Sequence, residues 1–435
     1  MSASIVPQTF PATGVDTAVS ITRKVTQHRI GLRLVFAGRL DPDRLARSVR
    51  LSVDAEPVLG CSFEVGSHKA SWRRLADLDA ALPFRILDTD DPDAVHTTFQ
   101  AAGIADTGPQ VAVALVRTAS HDELGVKISH VLGDGQAAKR YAYLLADLYT
   151  RLGADPSYAP EPNLRARPTA IDVWDRLTPT QRSAAKKAKS WAIPNWEVRS
   201  KAVTGEGLTF RIRTLPPERF SILRAYGKAR GSTVNDMMLA AFFRACTRAF
   251  DPPCGVPLSL MCTADLRRYL PDADTLPIAN ISISGSLDIE RVADEDFDGT
   301  LSRVKERMGV WADACYGAGP AKNAEKLASL GYGVTKVLLE IAFKSGRSGK
   351  SYPWFTNIGV IDEARLSFGG VAPVAGHMFG PSAFGPSIVP TISTYRGALA
   401  MCMGLCDQDI DVEIVENVLT MTFEELDAVT TGPGH

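Results

Sequence analysis

The stretch Ser129-His130-Val131-Leu132-Gly133-Asp134-Gly135 restricts the fold of this chain more than any other. An apolar strand-like run leads into it and an amphipathic helical pattern leads out. On a single helix His130 and Asp134, four apart, would share a face. Gly133 and Gly135 make a continuous helix unfavourable there. The residues therefore predict a strand ending at His130, a tight loop, and a helix starting near Gln136. A strand end meeting a loop is a frequent place for functional side chains. An imidazole that is neutral near pH 7 accepts a proton from a hydroxyl or an amine. Asp134 either orients that imidazole or pairs with an arginine elsewhere and braces the loop. Its plainer reading is a turn former.

The patterns around this junction alternate between periods of two and of 3.6. Residues 110–117 and 123–130 read as paired strands joined by a turn at 120–122. Ala138, Tyr141, Leu145, Leu148 and Tyr149 put one buried face on a helix over 137–152, with Gly153 as its stop. Upstream, 30–36 reads as a strand, Asp41-Pro42 opens a helix, and 58–65 reads as a second strand. Residues 154–170 carry Pro156, Pro160, Pro162 and Pro168 and little periodicity, which marks a linker. Beyond it, helices are expected over 178–191, 217–231, 233–250 (capped by Thr233 or Asn235), 297–311 and 321–344. Strands are expected over 208–213, 256–262, 278–285, 354–361, 391–405 (one or two) and 409–423. The class is α/β or mixed. At 435 residues the chain exceeds one compact core, and two domains of roughly 150–250 residues are expected. The Gly/Pro-rich stretch 376–386 reads as a long loop lining a site or closing over it.

Composition removes several function classes. With 48 basic against 49 acidic residues the net charge is -1, which argues against a nucleic-acid groove. Lys186, Lys187 and Lys189 read as a solvated helix face. Seven scattered cysteines without a CxxC pair fit a reducing compartment, so a cytoplasmic location is expected. Residues 1–14 lack a secretory-signal pattern, and no apolar run is long enough to span a bilayer. His130 and Asp134 lack a third ligand for a metal, and Cys402 and Cys406 read as core. Gly349-Lys350-Ser351 has Lys344 where a P-loop needs its first glycine. There is no G-x-S-x-G elbow.

Ser129-His130-x-x-x-Asp134-Gly135 resembles the HHxxxDG signature of the CoA-dependent acyltransferase superfamily, with Ser129 in place of the first histidine. Further segments resemble the family: Gly231 through Asn235-Asp236 as a helix start, Val256-Pro257 through Asp265-Leu266-Arg267 as a strand ending in arginine, and Thr356-Asn357-Ile358-Gly359 as a late strand. The resemblance implies two chloramphenicol acetyltransferase-like subdomains in a V-shaped pseudo-dimer with a tunnel between them. It assigns 1–160 to the first subdomain, 161–205 to a crossover, and 206–435 to the second. His130 is then the general base, and Asp134 pairs with Arg267, or failing that with Arg268. Ser129 and Gly135 support the site, and Asn357, His377 and Ser382 line the tunnel. No bound cofactor is implied. The co-substrate is an acyl-CoA or an acyl carrier protein's phosphopantetheine thioester, and the acceptor is a small-molecule alcohol or amine. The alternative is a non-catalytic condensation-like domain that binds an acyl carrier protein.

Overall fold

The computed structural model describes residues 6–187, 195–198, 201, 203–344 and 350–431. Two mixed sheets organise it. The first has five strands in the order Pro373–Phe379, Arg29–Phe36, Asp122–Ser129, Val111–Arg117 and Phe84–Asp88. The second has six, in the order Ser282–Glu290, Pro257–Asp265, Trp354–Val360, Pro390–Tyr395, Ala398–Cys406 and Leu208–Leu215. A small three-stranded sheet joins Thr9–Pro11, Ala70–Arg74 and Cys61–Val65. Each large sheet has its own apolar core. Leu32, Val126, Tyr141 and Leu145 are buried in the first, and Phe242, Leu260, Met401 and Val418 in the second.

Local chemistry explains the elements that frame the site. Asp41 caps Pro42–Ala55 by accepting from the amides of Asp43 and Arg44. Thr233 forms a capping box with Asp236 and starts Val234–Phe250, so the cap is Thr233 rather than Asn235. Val111–Arg117 and Asp122–Ser129 pair antiparallel across a short turn. Residues 155–169 form no helix or strand, as the prolines require.

The halves are not separate in sequence. Pro373–Phe379 leaves the second half and pairs antiparallel with Arg29–Phe36 at the edge of the first sheet. Ile361, Leu366, Phe368 and Met378 travel with it into the first core. The stretch read as a loop over 376–386 is therefore a strand as far as Phe379. Gly376 allows that pairing, because a Cβ there would lie 2.9 Å from Leu34 Cδ2.

Other expectations are corrected. Residues 409–423 are not a strand: Val412–Thr431 is a helix. Its opening residues alternate, but Val415, Val418, Leu419 and Leu426 recur at helical spacing and are buried. Gly153 does not stop its helix, which runs over Gly135–Ala154 with Arg44 packed where a Cβ would sit. The 321–344 helix is two, Ala318–Ser329 and Tyr332–Lys344, broken at Gly331 with φ +106°. The strand expected from 58 starts at Cys61, after a 3₁₀ turn, and that expected from 278 starts at Ser282. The 178–191 helix is Pro179–Lys187 within the described residues, and Lys189 lies outside them.

Candidate active site

His130 follows the last residue of Asp122–Ser129, and Asp134 is the N-cap of Gly135–Ala154. The junction is held from both ends. The Ser129 carbonyl accepts from the amides of Leu132 (3.1 Å) and Gly133 (2.9 Å), closing the loop. The Ser129 side chain is buried, and its amide donates to Gln110 O at 2.8 Å. The His130 amide donates to the His28 carbonyl at 3.2 Å, which carries the strand pairing one residue past Arg29↔Ser129. Directly opposed residues of an antiparallel pair share a face, so His28 neighbours His130.

The imidazole is half-buried. Its Nδ1 lies 3.0 Å from Gly133 O. A carbonyl only accepts, so Nδ1 carries the proton and Nε2 keeps its lone pair. Burial pushes the His130 pKa below its ordinary value, against the opposing pull of the Gly133 carbonyl and of Asp134, and the Arg29 cation adds to the lowering. The ring is therefore neutral at pH 7. His28 is neutral too, pushed down to about 3 by burial and then by His130 and Arg23. Arg29 is fully buried and donates to Gly380 O at 2.5 Å.

The second half reaches into this junction through one loop and one strand end. Asn280 Nδ2 donates to His130 O at 2.7 Å and stands 3.4 Å from Nδ1. Arg267 Nη1 donates to Asp134 Oδ2 at 2.7 Å, and Ile281 N donates to the same oxygen at 2.9 Å. The other carboxylate oxygen accepts from Ala137 N at 3.0 Å. Arg267 Nη1 also reaches Asp265 (3.1 Å), and Nη2 donates to Ala279 O (2.6 Å). Burial alone would raise the Asp134 carboxyl. The Arg267 charge and hydrogen bond, with the Ile281 and Ala137 amides, overcome that and hold it below the ordinary carboxylate value. Asp134 thus caps a helix of one half and anchors an arginine of the other. Arg268 is exposed and lies over the Tyr269 ring instead.

Gly135 brings the helix start against the late strand. A Cβ there would lie 2.9 Å from both Cγ1 and Cγ2 of Ile358. One turn further on, the buried Lys139 ammonium donates to Ile358 O (2.8 Å) and Val360 O (2.9 Å). Gly135→Ala is expected to destabilise the protein by about 1–3 kcal/mol by overpacking this contact. A denaturant midpoint unchanged from wild type would show that the seam gives way freely.

The residues expected along a tunnel scatter. Asn357 Nδ2 donates to Asn235 Oδ1 at 3.2 Å on the second-half side. Ser382 is fully buried, and its carbonyl accepts from Gln27 N at 2.8 Å. His377 sits opposite Arg33 on the edge strand, four residues along from the Arg29↔Ser129 pair, with Phe379 5.0 Å away between ring centroids. Among the described contacts none joins His377 to His130. Two residues beside His130 escaped sequence reasoning. Asn280 left one signal, a polar side chain inside the apolar run 278–281 that is 2% exposed. His28 left none, because its closeness depends on strand register. A cavity of about 460 Å³ opens on the same seam, lined by Glu56, Arg140, Tyr143, Asp274 and Arg365. Among the described residues no group of three or more His, Cys, Asp or Glu side chains is placed to hold a metal.

No family model matches the chain, and none of the curated proteins does. Solved structures do. The first condensation domain of the CDA synthetase superposes with a TM-score of 0.70 at 16% identity, over 100% of this chain and 98% of that one. A trichothecene 15-O-acetyltransferase from Fusarium sporotrichioides gives 0.72 at 12%, over 97% and 95%. The chain has the fold of the CoA-dependent acyltransferases. A double mutant of the starter condensation domain of rhizomide synthetase, in complex with C8-CoA and Leu-SNAC, shares this acyltransferase fold with a TM-score of 0.66 at 13% identity, over 97% and 94%. In an acyltransferase fold of two halves, the His130 junction lies where side chains of both halves meet.

Proposed function

We propose that this protein is an acyltransferase that moves an acyl group from a CoA or carrier-protein thioester to a hydroxyl or amine of a small molecule. The observation that carries this reading is the state of His130: Nδ1 is committed to Gly133 O, and Nε2 is left with a lone pair on a neutral ring. Nε2 takes the proton of the acceptor as its oxygen or nitrogen attacks the thioester carbon. The tetrahedral adduct collapses, the C–S bond breaks, and the proton passes from the imidazolium to the departing sulfur. A thiolate of solution pKa near ~8.5 leaves with little acid assistance. No acyl-enzyme is needed. Supporting the reading, a double mutant of the rhizomide starter domain holds C8-CoA on the same fold.

The test is thiol release from a panel of acyl-CoAs offered with alcohols and amines. Its pH dependence follows from the lowered His130 pKa. The base works only when neutral, and a lower pKa moves protonation to lower pH. The acidic limb of kcat/KM is therefore expected below the ordinary histidine value of ~6.5. A limb centred above 7 would remove His130 as the base. Binding of a carrier protein without turnover of any thioester would favour a non-catalytic domain.

A further inference from the structure

The helix Tyr332–Lys344 leaves one face without a partner. Val334, Val337, Leu338 and Ile341 are 49%, 55%, 46% and 60% exposed. Their i, i+3, i+4, i+7 spacing puts all four on one stripe. The other side is docked: Thr335 is buried and donates to Leu327 O at 2.9 Å, and the Tyr332 hydroxyl accepts from Ser20 at 3.4 Å. Every other described helix exposes at most one large aliphatic residue.

Charge supplies the second observation. Residues 318–344 carry four lysines, Lys322, Lys326, Lys336 and Lys344, against two acidic residues, in a chain of net charge -1. Both acids are engaged within the protein. Glu325 accepts from the Gly14 amide at 2.7 Å, and Glu340 pairs with Lys24 at 3.6 Å. Lys326, with Lys186 and Arg182 on Pro179–Lys187, adds positive charge around Lys322, against the single opposing carboxylate of Asp175.

We propose that this face docks on an anionic lipid surface. The aliphatic stripe enters the headgroup boundary, and the neighbouring lysines meet lipid phosphates. A stripe of branched aliphatics lacks the Trp, Tyr and Arg anchors that dominate protein–protein contacts, which favours lipid as the occupant. No described helix is long and apolar enough to cross a membrane, so the helix lies in the interface. The proposal rests on this surface alone and does not depend on the His130 chemistry.

The experiment is co-sedimentation of the full chain with vesicles of phosphatidylcholine alone or mixed with phosphatidylglycerol. Wild type is expected to partition at least ~10-fold more strongly onto the anionic vesicles, and less so in high salt. The double variant Val337→Asp/Ile341→Asp is expected to lose that binding about tenfold while keeping its circular dichroism and melting temperature. Equal partitioning of wild type and variant would overturn the proposal. So would a concentration-dependent dimer in light scattering that the variant dissolves, which would give the face to a second copy. Capture of an acidic carrier protein without vesicle binding would overturn it in favour of a protein partner.

Discussion

Replacing His130 with alanine is expected to lower acyl transfer by about 10²–10⁴-fold, the usual worth of a positioned general base. The protein should stay folded. His130 is half-buried, and its side-chain contacts are the single bond to Gly133 O and a long approach from Asn280. Its backbone, which carries the His28 and Asn280 bonds, is unchanged by the substitution. The unfolding midpoint should therefore move by about 1 kcal/mol or less. His130→Gln separates polarity from basicity. Glutamine keeps a polar group near Nε2 but no base, so it should leave turnover as low as alanine does. Wild-type turnover in either variant would contradict the role.

Asp134→Ala is expected to have the largest effect on stability, about 3–5 kcal/mol, because it strands a buried guanidinium. Arg267 would keep only Asp265 and the Ala279 carbonyl. The Ile281 and Ala137 amides would lose their acceptors as well. Asp134→Asn keeps an acceptor for the helix cap but no charge, and it should fall between alanine and wild type. Arg267→Lys should also be costly, since an ammonium cannot span Asp134, Asp265 and Ala279 as the planar fork does. The sign of the pH dependence is fixed by the lowered Asp134 pKa. Its contribution is complete above the unfolded carboxylate value of ~3.9 and is lost as the pH falls through the lower folded value. Alanine should flatten this part of the stability profile, read by denaturant unfolding between neutral and acid pH. An unchanged midpoint at neutral pH would mean that the pair braces nothing. Because Asp134 also fixes the loop that sets the His130 ring, kcat should fall in the same variants before they unfold.

Much of this junction could be read from the sequence, for local reasons. Gly133 and Gly135 disfavour a helix running through the motif, and the structure turns there: Leu132 and Gly133 fold back onto Ser129 O. Asp41 and Thr233 stand at helix starts that are legible because capping is settled within four consecutive residues. What remained hidden depends on contacts distant in sequence. Asn280 reaches His130 across 150 residues, and nothing near either position encodes the meeting. The stretch 376–386 looked like a loop because glycine and proline dominate it, yet its first four residues belong to Pro373–Phe379, which completes the first sheet from the far end of the chain. His377 lies on that same edge strand, opposite Arg33. The helix Val412–Thr431 was misread because residues 409–414, which lead into it, satisfy a period of two, and only its full length shows the longer period.

The most direct test of the account is a mass-spectrometric balance of one reaction mixture. Protein, acyl-CoA and acceptor are incubated, and free CoA, acylated acceptor and the intact protein mass are measured together for wild type and His130→Ala. Direct transfer with His130 as base predicts equal amounts of free CoA and acylated acceptor, an unmodified protein mass throughout, and loss of both products in the variant. Acylated acceptor formed at the wild-type rate by His130→Ala, or an acyl group retained on the protein during turnover, would contradict it.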